Sequence, residues 1–120
     1  MSKTNYYNKR VKKIPYSDAD ANVIQQLRST KALLKFCLEH KYPENNPALK
    51  SIELCAEALE KKDIKSAVEH YLDVPLGGNG CFNDWWPPSI YENETENYTW
   101  AVFEALVSFW SHNMRLSVDT

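Results

Sequence analysis

The chain has 120 residues, sixteen of them Asp or Glu against fourteen Lys or Arg, for a net charge of −2, and it has three cysteines. That length fits one domain with a buried core, and an odd cysteine count with no close pair excludes a disulfide framework. The charge is segregated: residues 1–16 carry Lys3, Lys9, Arg10, Lys12 and Lys13 and no acid, so the remaining nine basic and sixteen acidic residues sum to −7.

An acidic body is repelled by nucleic-acid backbones and anionic membrane surfaces, which leaves a basic protein as the natural partner. No run approaches the ~18 apolar residues of a membrane span, and the polar start has no apolar core of a secretory signal. The expected address is the cytoplasm. Asn93-Glu94-Thr95 and Asn97-Tyr98-Thr99 match the glycosylation pattern, but in an unsecreted chain they read as turn and capping residues.

In chain order, Met1 to Tyr16 reads as a basic N-terminal arm without a sustained period, and 17–120 as one helical domain. From Asp18, the residues Val23, Ile24, Leu27, Leu34, Cys37 and Leu38 recur at three- and four-residue spacing and predict a helix ending near Lys41. Tyr42-Pro43 stops it. Asn46-Pro47 then reads as an N-cap with proline at the first helical position, where its missing N–H costs nothing. The helix that follows carries Leu49, Ile52, Cys55, Ala56 and Leu59 on one side, through Lys61. Asp63 is the expected N-cap of a shorter helix in which Ile64, Ala67, Val68, Tyr71 and Leu72 repeat at helical spacing. The short link between the two predicts an antiparallel hairpin.

Val74 to Thr95 holds all three glycines and Pro75, Pro87 and Pro88, and predicts one long loop. The last helix, about Glu96 to Arg115, is apolar nearly all round, with Glu104, Ser108, Ser111 and His112 as its narrow polar stripe. Such a helix is expected to run through the centre of the bundle. The fold class is therefore all-α, a single-domain bundle of about four to five helices with a Gly/Pro/Trp-rich loop before an apolar C-terminal helix.

The stretch Ser66 to Met114 contains seven carboxylates, ten of the fifteen aromatics, and no Lys or Arg. Charge of one sign steers an oppositely charged partner, and aromatics supply rigid contact area once it has docked. If Trp85 anchors the core, its neighbour Trp86 points elsewhere and, with Tyr91, is free for a partner; the alternative is that these rings only cap the open end of the bundle. The run Glu92, Glu94, Glu96 forms a polar rim beside them, or simply a solvated face that favours a helix N-terminus.

Competing chemistries fit less well. A phosphate cradle at Gly77-Gly78-Asn79-Gly80 lacks a preceding strand and a Lys. Cys81 with His112 or His70 and Asp84 has the residue types of a thiol enzyme, though nothing in the sequence unites them. His40, His70 and His112 have no His or Cys at metal-ligand spacing, so neither metal nor other cofactor is expected. His40, beside Lys41, suits the negative end of its helix.

The segment from Tyr71-Leu72-Asp73-Val74-Pro75-Leu76-Gly77-Gly78 through Gly80-Cys81-Phe82-Asn83-Asp84-Trp85 to Trp100-Ala101-Val102-Phe103-Glu104-Ala105-Leu106 resembles a family of small bacterial all-helical proteins. In size and character it is similar to immunity proteins of contact-dependent and other polymorphic toxin systems. The resemblance spans roughly Leu59 to Met114 and implies a class but no residue roles: an acidic protein that blocks a basic, nuclease-like toxin. Taken with the charge pattern, it makes the leading expectation an immunity or inhibitor protein, a monomer or weak dimer when free, that occludes the toxin's active site. Asp73, Asp84, Trp86, Tyr91, Glu92, Glu94 and Glu96 are its expected partner-binding residues. A small hydrolase or thiol enzyme using Cys81 is the alternative, and an adaptor that associates through the aromatic helix is a third reading.

Overall fold

A computed structural model describes residues 16–77 and 80–118. The fold is all-α, with helices α1 (Tyr16–Glu39), α2 (Pro47–Glu60), α3 (Ile64–Leu72) and α4 (Glu96–Arg115), and a short 3-10 turn at Phe82–Asp84. The basic arm expected over Met1–Tyr16 lies outside the described residues, save for Tyr16, where α1 begins.

The helix boundaries follow from local chemistry. Asn46 Oδ1 accepts from the Ala48 N–H at 2.9 Å with Pro47 behind it, Asp63 Oδ1 accepts from Ser66 N–H at 3.1 Å, and Thr95 Oγ1 accepts from Tyr98 N–H at 3.1 Å. Each satisfies an N–H that the first helical turn leaves without a partner. The C-terminal ends are closed by lysines in the left-handed region, Lys41 at φ 61° after α1 and Lys62 at φ 58° after α2. Around them the chain turns back, with Tyr42 N–H donating to Cys37 O at 2.9 Å and Asp63 N–H donating to Ala58 O at 2.9 Å. Glycine usually fills this position because it has no Cβ to crowd the carbonyl.

α2 and α3 fold back on each other across Lys61–Asp63, α2 also packs on α1, and α1 packs on α4. The register between α1 and α4 is antiparallel. Gln26 Nε2 donates to Asn113 O at 3.0 Å, and Phe36 stacks on Phe103 at 5.9 Å, so moving forward along one helix moves back along the other. Leu33, Ile52, Leu59, Phe103, Trp110 and Met114 are buried almost completely where these layers meet. Removing such side chains from water stabilises the fold by roughly 1.5–3 kcal/mol each.

Two expectations are corrected. α4 does not run through the centre: α1 and α2 are the inner pair, and α4 lies on the flank with Tyr98 and Phe109 exposed. Its apolar residues exceed what one packed face can take, so only Thr99, Phe103, Val107, Trp110, Asn113 and Met114 are buried. On α1 the period is helical, yet the inward face is rotated from the expected one. Ile24 and Leu38 are exposed while the polar Gln26, Ser29 and Thr30 are buried. Most of their polar groups find partners inside: Ser29 Oγ and Thr30 Oγ1 donate to Gln26 O at 3.0 and 2.6 Å, and Gln26 Nε2 reaches Ser117 Oγ at 2.7 Å, while Gln26 Oε1 is buried without a partner among the described residues. Such bonds offset most of the cost of burying polar atoms.

Candidate partner-binding site

The long loop is tied down at both ends. Asn83 clamps Gly77 through both halves of its amide, accepting from Gly77 N–H at 2.8 Å and donating to Gly77 O at 3.0 Å. Phe82 N–H donates to Pro75 O at 2.9 Å, which drives the Phe82 ring into the core. Trp85 follows it inward, edge-on to Phe103 at 5.0 Å and to Tyr42 at 4.8 Å. In an extended segment the next side chain faces away. Trp86 is accordingly 53% exposed and stacks on Trp100 at 5.4 Å, with the rings 22° apart.

Trp100 stands on the flank of α4, half-buried. Glu96 and Glu104 lie one turn to either side of it at four-residue spacing, and both are exposed. Tyr98, 58% exposed, and the exposed Ile90 and Tyr91 add apolar area at the same end of the bundle. The result is an indole pair with one open face, bracketed by carboxylates. A guanidinium or ammonium placed on such an indole face is attracted by the ring quadrupole and by the acids together, the first contribution being about 0.5–2 kcal/mol.

The second half of the loop is held by Glu94. Its Oε1 accepts from Ile90 N–H at 3.1 Å and Tyr91 N–H at 2.9 Å, and its Oε2 meets His40 Nε2 at 2.8 Å. The Tyr91 N–H first, and then the His40 hydrogen bond, hold the Glu94 carboxyl below the ordinary Glu range. His40 is buried, stacks on Phe36 at 3.9 Å, and has Nδ1 2.9 Å from Phe36 O. Both of its ring nitrogens lie against oxygen atoms, so the ring is held from two sides.

The seven expected partner-binding residues therefore divide. Trp86, Glu92 and Glu96 lie exposed at the end of the bundle where α4 begins, with Tyr91, whose ring also meets His40 edge-on at 5.6 Å. Asp84 is exposed but accepts from Gly80 N–H at 3.2 Å within the loop, and Asp73 caps the end of α3. Glu94 is turned inward, its carboxylate engaged with His40 rather than presented to solvent. His40 stands at the C-terminal end of α1 as expected, with Nδ1 against the Phe36 carbonyl, but it is buried there rather than on the surface. Sequence reading missed Trp100 and Glu104 as members of the face; their four-residue spacing with Glu96 was the available signal.

Cys81 is half-buried, and its thiol makes no hydrogen bond to His70 or His112 among the described residues. The other two thiols are deep in the core, where burial pushes Cys37 and Cys55 each up to about 12. Among the described residues no group of three or more His, Cys, Asp or Glu side chains could hold a metal ion, and no helix is long and apolar enough to cross a membrane. Comparison with protein-family models, with curated proteins and with solved structures found no match.

Proposed function

We propose that this is a cytoplasmic immunity or inhibitor protein that binds a basic, nuclease-like toxin domain and neutralises it by occlusion, without turnover. The observation that carries this reading is the Trp86–Trp100 stack, open on one face and bracketed by Glu96 and Glu104, in a stretch with no Lys or Arg from Ser66 to Met114. Large solvent-facing aromatics beside acidic residues are costly to leave bare and mark contact surfaces. Basic side chains that a nuclease directs at phosphates are met here by carboxylates, and a cationic side chain inserts against the outer indole. Glu92 and Glu96 lie on the rim and act chiefly on encounter, whereas Trp86 acts on residence time.

The partner expected from this chemistry is the basic toxin domain encoded beside this chain. Its nuclease activity should be titrated to zero by one equivalent of the purified protein. Trp86→Ala should weaken inhibition on the order of thirtyfold, as loss of a central aromatic anchor does. Full nuclease activity in the presence of excess protein would overturn the reading.

A further inference from the structure

A second feature lies at the other end of α4. Ser108, Ser111, His112 and Arg115 fall at i, i+3, i+4 and i+7, so they form one strip along the helix. The strip borders an open groove of about 470 Å³ whose apolar walls are Leu76, Val107 and Leu116. Asn83 also borders it, but both halves of its amide are committed to Gly77, so it acts as wall. The volume falls within the range of small-molecule sites, and a few polar groups converging over apolar walls are their usual form.

Arg115 is the strong cation of this groove. It is the sole Lys or Arg from Ser66 to the C-terminus, and among the described residues no carboxylate lies within ion-pairing distance of it. A cation in the last turn complements the helix dipole, which explains its sign. The dipole does not explain why two hydroxyls and an imidazole share its strip, or why an apolar trough runs alongside. Ser111 Oγ is 2.6 Å from Tyr71 OH, so its hydroxyl is oriented by a partly buried neighbour. Ser108, His112 and Arg115 line the groove, and among the described residues none of their side chains makes a hydrogen bond or ion pair within the protein.

We propose that this groove binds a small organic anion: an oxyanion head held by the Arg115 fork, with help from His112 and Ser108, and a short apolar tail laid along Leu76, Val107 and Leu116. An arginine fork matches the two oxygens of a carboxylate or phosphate better than a single ammonium can. The site is independent of the aromatic face, because Trp100 and Arg115 are about 22 Å apart along the helix axis.

The test is a titration of the full chain with hexanoate, hexyl phosphate, acetate and hexylamine, followed by amide chemical shifts. Saturable shifts confined to Leu76 and the Val107–Leu116 segment are expected with the two hexyl anions; acetate should bind on the order of tenfold more weakly for lack of a tail. A preference for hexyl phosphate over hexanoate assigns the head as phosphate, and the reverse assigns it as carboxylate; either supports the site. Arg115→Gln, at an exposed position, should weaken both anions on the order of tenfold. Unsaturable shifts, equal binding of hexylamine, or unchanged affinity in Arg115→Gln would each overturn the proposal.

Discussion

Glu94 Oε2 and His40 Nε2 stand 2.8 Å apart although 54 residues separate them in sequence. This one contact fastens the end of the long loop to the end of α1, and through Ile90 and Tyr91 it fixes the segment that leads into α4. The acidic run is thus divided by role, with Glu94 holding the loop in place and Glu92 and Glu96 facing solvent.

The pH dependence of stability follows from the direction of the Glu94 shift. Its carboxyl is held below the ordinary Glu range by the Tyr91 N–H and by His40. Its contribution is therefore fully present above that range and is lost as pH falls through the lower, folded value. Urea unfolding followed from neutral pH down to about pH 3 should show a fall in stability that is smaller in Glu94→Gln, which should also be less stable at neutral pH. Identical pH profiles for the two proteins would show that the contact contributes nothing.

The left-handed lysines are a second source of measurable effects. Lys62 has φ 58° and its side chain is mostly exposed, with Asp20 only at 4.0 Å. Lys62→Gly removes the Cβ clash at little cost in contacts and should raise stability by about 1 kcal/mol, the strain relieved being offset in part by a freer unfolded chain. A lower urea midpoint for Lys62→Gly would mean that the lysine side chain contributes more than its exposure suggests.

A core aliphatic side chain and a surface aromatic should respond in opposite ways. Ile52 is fully buried between α2 and its neighbours, and Ile52→Ala should cost about 2–5 kcal/mol. Trp86→Ala, at a half-exposed ring, should cost about 1 kcal/mol or less in the free protein while removing most of the partner affinity. Thermal unfolding of both variants checks the contrast; a large loss of stability on truncating Trp86 would make it a packing residue.

Thiol chemistry distinguishes a binding protein from the alternative built on Cys81. With Cys37 and Cys55 each pushed up to about 12 and buried, only Cys81 should be alkylated in the folded protein near neutral pH. It should react no faster than a free thiol. Alkylation of Cys81 far faster than a model thiol would favour the thiol-enzyme reading.

The helices were legible because their limits are set by neighbours in sequence. Asn46-Pro47, Asp63 and Thr95 cap the helices they precede, and the inward residues of α2 and α3 keep a clean period. The faces of α1 and α4 were not, for two reasons. Gln26, Ser29 and Thr30 are tolerated inside by bonds to the chain's own backbone and to Ser117, which periodicity does not register. On α4, apolar residues occupy positions all round the helix, and pattern alone does not say which of Phe103 and Phe109 is buried. The opposed orientation of Trp85 and Trp86 was readable from the two-residue period of an extended segment. The His40–Glu94 contact was not, since it depends on how the loop closes over α1.

The most direct test of an acidic, aromatic binding face is the association rate with the basic partner measured across ionic strength, for the native chain and for Glu92→Lys/Glu96→Lys. Electrostatic steering predicts a native rate that falls steeply with added salt, and a charge-reversed variant that associates on the order of a hundredfold more slowly at low salt, converging with the native chain at high salt. Association rates that are insensitive to salt and the same in both proteins would contradict it.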